Sequence, residues 1–171
     1  MSHYFQPLIC MLLMAGCAAT VAAQAPAASP AANPLTIPYG PPISLEMAKK
    51  AAAAAIAEAE KNHWLMAVAV VDPSGDLVFY EKMDNTQLGS AKVSIAKARS
   101  AALYKRPSKA FQDSVAGGGA GLRVFALEGA VPVEGGIPIM IDGKFVGAIG
   151  LSGDSSEHDG QCAAAGVAAL K

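Results

Sequence analysis

The sequence predicts an α/β chain of the α+β kind, with helices packed on a single antiparallel sheet. Two hairpin signals carry this reading: Pro73-Ser74-Gly75-Asp76 and Asp142-Gly143, each set between runs of strand length. The element order supports it, running helix, two strands, helix, irregular loops, two or three strands, helix. Strands joined by hairpins rather than long crossovers must run antiparallel, and helices then cover the sheet.

The amino-terminal region reads as an export signal. No charge precedes Glu46, and Leu8 to Gly16 is an apolar run too short to span a bilayer but right for a signal h-region. Two processing readings stand. Val21-Ala22-Ala23 before Gln24 fits cleavage that removes residues 1–23 and leaves a periplasmic or secreted protein. Met14-Ala15-Gly16-Cys17 approximates a lipobox, so removal of 1–16 would leave a lipoprotein anchored to the membrane through Cys17. Residues 24–42, with six prolines and no charge, read as an extended tether outside the core. The domain proper is expected over 43–171.

Within that domain Ser44 is a good N-cap, Glu46 suits the first turn, and a helix should run to about Asn62. Leu65 to Asp72 is a continuous apolar run, as a central strand should be, and Leu77 to Met83 returns as its partner. Ser90 is expected to cap a second helix through about Lys105, with Ala91, Ile95, Ala98 and Ala102 as a narrow apolar stripe. Pro107 ends it, and a short helical turn should follow near Phe111. Gly117 to Gly121 reads as a flexible loop. Strands over Ile137 to Ile141 and Phe145 to Gly153 follow, and Ser155 or Ser156 caps a last, alanine-rich helix to Leu170.

Composition limits the function classes. Roughly 125 residues of ordinary charge density suffice for one core. A formal net charge of −1 argues against nucleic acid, which needs a basic surface. Much of the 53% hydrophobic content is alanine, so the core should rest on close approach of small residues, and such a surface suits burial between subunits of a homo-oligomer. Cys10 is lost on processing, which leaves Cys162 with no partner for an internal disulfide.

Catalytic signatures are thin. Ser94-Ile95-Ala96-Lys97 matches S-x-x-K without the companion motifs, and Gly150-Leu151-Ser152-Gly153 is no nucleophile elbow. The glycines at 117–121 lack both the lysine of a phosphate loop and the spacing of a dinucleotide fingerprint. His158, in the first turn of the last helix, should stay neutral and keep a lone pair for a metal; Cys162 follows one turn on. His63, at the end of the first helix, is the second candidate metal ligand, although a histidine there is also ordinary capping. Lys92, Lys97, Arg99, Lys105, Arg106 and Arg123 could pair with carboxylates or simply populate surfaces. Asp72 and Asp84 should close turns through side-chain-to-backbone bonds. Glu134 before Gly135-Gly136 places a carboxylate in a Gly-rich loop, and with Lys97 it forms the weak candidate acid/base pair of an otherwise unknown catalytic site.

Taken together, AVAVVDPSGDLVFYEKMD (67–84), IAKARSAALYKRPSKAF (95–111), EGGIPIMIDGKFVGAIGLSG (134–153) and DGQCAAAG (159–166) resemble the GlcG/HbpS haem-binding family. They are also similar to the carboxy-terminal domain of PduO-type corrinoid adenosyltransferases. The resemblance implies a sheet of about five strands, a symmetric homo-oligomer (often an octamer), and haem as cofactor. It further implies haem scavenging, degradation or redox sensing outside the membrane. His158 and His63 become the candidate iron ligands, with Met83 third, and Arg123, Lys105, Gly135 and Gly136 the candidate contacts to the tetrapyrrole and its propionates. Two positions depart from the pattern: Lys82 stands where arginine is expected, and His158 where glutamine is. Beside this reading stand an enzyme acting on a small metabolite in a Gly-lined pocket and a regulatory oligomer contacting a membrane sensor.

Overall fold

The structure is a computed structural model that describes Met1 and residues 33–171. The segment read as an export signal, with Cys10 and the candidate anchor Cys17, lies outside the described residues. One compact unit spans Ala32–Lys171. Among the described residues no helix is long and apolar enough to cross a membrane.

Helix α1 (Leu45–Lys61) begins where the sequence places its cap: the Ser44 hydroxyl accepts from Met47 N, and Glu46 sits in the first turn. Strand β1 (Ala67–Val71) turns at Asp72, whose carboxylate accepts from Ser74 N (2.8 Å) and Asp76 N (3.0 Å), and the chain returns as β2 (Leu77–Lys82). Asp84 accepts no such bond. Thr86 does that work instead, donating from Oγ1 to Met83 O and Met66 O. Helix α2 (Ser90–Tyr104) and α3 (Ser108–Ala116) follow, then β3 (Gly136–Ile141), β4 (Lys144–Ser152) and α4 (Ser156–Ala168). Ser155 caps α4, accepting from His158 N.

The sheet is antiparallel in the order β2-β1-β4-β3, with four strands among the described residues where about five were expected. The irregular stretch before β3 supplies no strand, because Gly119–Ala126 winds as a 3₁₀ helix; the loop expected at Gly117 to Gly121 is thus partly helical. A short addition comes from the opposite end of the chain. Phe145 N donates to Pro38 O, Gly40 N to Phe145 O and Ile43 N to Val146 O. The last residues of the segment read as a tether therefore dock on β4, where β1 has ended.

Both faces of β1 are buried, which is why it reads as one apolar run. Val68 and Val70 join Ile149 and Leu151 beneath the alanines of α1 and Ala163 of α4. Ala69, Val71 and Ala148 face α2. Helix α2 comes unusually close to the sheet. Gly136 and Gly150 pair across β3 and β4, and a Cβ on either would run into α2 backbone: Lys97 O for Gly136, Ser94 O and Ala98 N for Gly150. The buried side of α2 accordingly passes through Ser90, Ser94, Lys97 and Ala101, with Ala98 and Ala102. Ala91 and Ile95 of the expected stripe are only half-buried. Ser90 is the first helical residue rather than the cap. The cap position is Gly89, which makes no side-chain bond, and the Ser90 hydroxyl instead accepts from Ser152 Oγ.

Candidate functional site

Two constellations gather on α4, on different faces. The first centres on His158. Its Nδ1 lies 2.6 Å from Asp154 Oδ1, and its ring stacks on Trp64 with centroids 3.8 Å apart and planes 12° from parallel. Asp154, just outside the cap, holds the imidazole at Nδ1 as the carboxylate behind a metal-ligating histidine does. The bond to His158 is the largest influence lowering the Asp154 carboxyl below its ordinary range, followed by the Ser155 amide. With Nδ1 committed, Nε2 has no hydrogen-bond partner among the described residues. The surroundings are partly apolar. Leu65, next to Trp64 in the chain, is exposed, and its carbonyl lies where a Cβ on Gly153 would meet it, while Gln87 Nε2 donates to Gly153 O.

His63 does not join this group. It follows α1 in the left-handed region at φ 61°, is exposed, and donates its backbone N–H to Glu60 O. Its neighbour Trp64 is the residue that reaches His158. Met83 is occupied otherwise, its sulfur accepting from Met66 N at 3.3 Å. Cys162, one turn after His158, is fully buried, and burial, followed by the charges of Glu58, Asp159 and Asp154, pushes its thiol up to about 12. A thiol that remains protonated at neutral pH is a poor metal ligand.

The second constellation surrounds Glu134-Gly135-Gly136. Lys97 of α2 and Asp159 of α4 form an ion pair of 2.6 Å, with side chains 1% and 3% exposed, joining helices on opposite faces of the sheet. Burial raises the Asp159 carboxyl, and the Lys97 ammonium opposes the rise. The pair passes under Gly135, whose φ is +127° and where a Cβ would lie 2.9 Å from Lys97 Nζ and 2.8 Å from Asp159 Cβ. Gly136 N donates to Ser108 Oγ (2.9 Å), and Ser108 donates to Val133 O (2.7 Å), which pins the loop to α3. Above it lies a cavity of about 420 Å³ lined by Glu134, Gly135, Gly136, Lys109, Gly160 and Ala164 among others. Lys97 does not line it, so the two candidate acid/base groups are not presented to a common space.

Lys105 and Arg123 belong to neither constellation. Lys105 ends α2 in the left-handed conformation, donates to Ile37 O (2.9 Å) and lies over the Tyr39 ring, securing the amino-terminal segment. Arg123 is exposed on the 3₁₀ helix. Sequence reasoning overlooked Trp64, Asp154 and Asp159. Only Asp154 left a local trace, four residues before His158 at the helix entry.

Among known proteins, a family model described as haem degrading protein HbpS-like matches residues 43–168, most of the chain. Protein GlcG of Escherichia coli K12 is 37% identical over 110 residues, covering 64% of this chain and 81% of GlcG. A crystal structure of a double mutant of Streptomyces reticuli HbpS superposes with a TM-score of 0.71 at 30% identity, covering 90% of this chain and 98% of that one. A crystal structure of a PduOC:heme complex gives 0.68 at 28%, covering 75% and 94%. The antiparallel sheet, the helices on its two faces and the matched segment from Ile43 to Ala168 all agree, and this chain belongs to the HbpS-like family.

Proposed function

We propose that this protein binds haem outside the cytoplasmic membrane and that His158 supplies the iron ligand. One observation carries the assignment: an imidazole held at Nδ1 by a carboxylate and stacked on Trp64, with Nε2 unbonded. That donor set suits haem iron, for which histidine nitrogen is the commonest protein ligand. Exposed Leu65, next to Trp64 in the chain, offers apolar surface to a flat ligand. Membership of a family described as haem degrading, and likeness to a haem-complexed structure, support the ligand class. Bound haem would supply redox and ligand-exchange chemistry; the chain's part is to orient His158 and shield one face of the ring.

Titration of ferric haem, followed at the Soret band, tests this. His158→Ala is expected to weaken binding about 100-fold or more, and Asp154→Asn about tenfold, since the hydrogen-bond partner that orients a ligating histidine typically contributes about 10–100-fold. Unchanged binding in His158→Ala would remove it as ligand, and loss confined to His63→Ala would transfer the role there.

Export is proposed from the uncharged start and its apolar run. Intact mass of the native product should show loss of 16 or 23 residues, with added acyl mass on Cys17 if the lipid anchor is used. We also infer a homo-oligomer, because Leu122, Phe125, Leu127 and Val133 are exposed along one stretch of chain. Light scattering on the processed protein should report several subunits, and a monomer at micromolar concentration would refute it.

A further inference from the structure

We propose that the cavity between α4, the start of β3 and the start of α3 binds a small organic ammonium compound, anchored by the Glu134 carboxylate. This site is separate from the haem reading and does not depend on it: Glu157, Gly160, Gln161 and Ala164 line the cavity at helical spacing, and His158 does not.

The argument starts from Glu134. Its side chain is 20% exposed, yet its carboxylate accepts no hydrogen bond among the described residues. The nearest cation, Lys109 Nζ, is 3.8 Å away and is already bound to Asp113 at 2.8 Å. An ionised carboxylate offers about four acceptor sites, and since no buried side-chain oxygen among the described residues lacks a partner, those of Glu134 are open to solvent and to the donors of a ligand. Its position is also enforced. Glu134 N donates to Gln112 Oε1 (2.8 Å), and a Cβ on Gly160 would lie 2.6 Å from Glu134 Oε1. Glycine is disfavoured inside a helix relative to alanine, and here its bareness is what lets the carboxylate rest on α4.

Shape and charge then select the ligand class. A volume of about 420 Å³ suits a small molecule. Pro107, Ile137 and Ala164 give an apolar wall, and the bare backbone of Gly135 and Gly136 another. The charged lining is Glu134, Glu157 and Lys109, and Asp113 already partners the lysine. The field is therefore negative. It repels carboxylates, haem propionates included, and attracts an ammonium that can donate to Glu134 while its carbon chain covers the apolar wall.

The test uses the full processed protein without haem, n-butylammonium as probe and butyrate as its charge-reversed counterpart, followed by ligand-observed NMR and calorimetry. Saturable binding of n-butylammonium, none of butyrate, and a loss of about tenfold or more in Glu134→Gln are expected. Ala164→Leu, at an exposed position of α4 that tolerates a larger side chain, should fill the cavity and abolish binding even if the Glu134 variant folds poorly. The proposal fails if the wild type shows no saturable binding, if butyrate binds equally, or if either folded variant binds as the parent does.

Discussion

Replacing Asp159 with asparagine is expected to destabilise the fold by about 3–5 kcal/mol, because it leaves the Lys97 ammonium buried without a counter-charge. Lys97 is the largest fully buried side chain of the domain, and its ammonium has one partner, 2.6 Å away. Burying a lone ammonium costs far more than a neutral polar group. The pair also ties α2 to α4 around the end of the sheet, so its loss should loosen the Gly135 turn that both helices contact. For a domain near 140 residues the change corresponds to a fall in Tm of more than about 10 °C. The double variant Lys97→Met/Asp159→Asn should recover most of the loss, since no unpaired charge remains. Denaturant titration of both variants checks this; equal stability of Asp159→Asn and the parent would show that the pair is dispensable.

Gly150→Ala is expected to be as damaging, at about 3 kcal/mol or more, by a different route. Its Cβ would collide with Ser94 O and Ala98 N and lie 2.9 Å from Ala98 Cα, and none of these atoms can rotate away as a side-chain end would. Relief requires moving α2 off the sheet, which uncovers Ala69, Val71 and Ala148. The same step should break the Lys97–Asp159 contact, because Lys97 lies one residue from the collision. As a control, Gly143→Ala sits in the β3–β4 turn with open space around the added Cβ; its cost comes only from φ +72°, about 1 kcal/mol. Thermal melts of the two variants should separate steric from conformational cost. If Gly150→Ala melts with Gly143→Ala, the close approach of α2 does not carry the stability assigned to it.

Local rules made much of this protein legible without coordinates. Ser44 and Ser155 cap the helices they precede, the Asp142-Gly143 pair joins β3 to β4, and the apolar run before Asp72 is a strand buried on both faces. Each of these depends on residues within a turn or two of one another, so spacing and residue type suffice. The family was legible as well, from four segments read jointly. What the sequence could not disclose is which distant residues meet. The alanine spacing on α2 pointed to Ala91 and Ile95, but the helix turns Ser94 and Lys97 inward, because paired glycines on β3 and β4 admit its backbone on that side. Ser90 looks like a cap locally and is drawn instead to Ser152, far along the chain. The stacking of Trp64 on His158 and the burial of Lys97 against Asp159 arise only when the sheet brings α1, α2 and α4 together. Helical and strand periods state which face of an element is apolar; tertiary packing decides which residue of another element that face will meet, and at this site those long-range meetings set the chemistry.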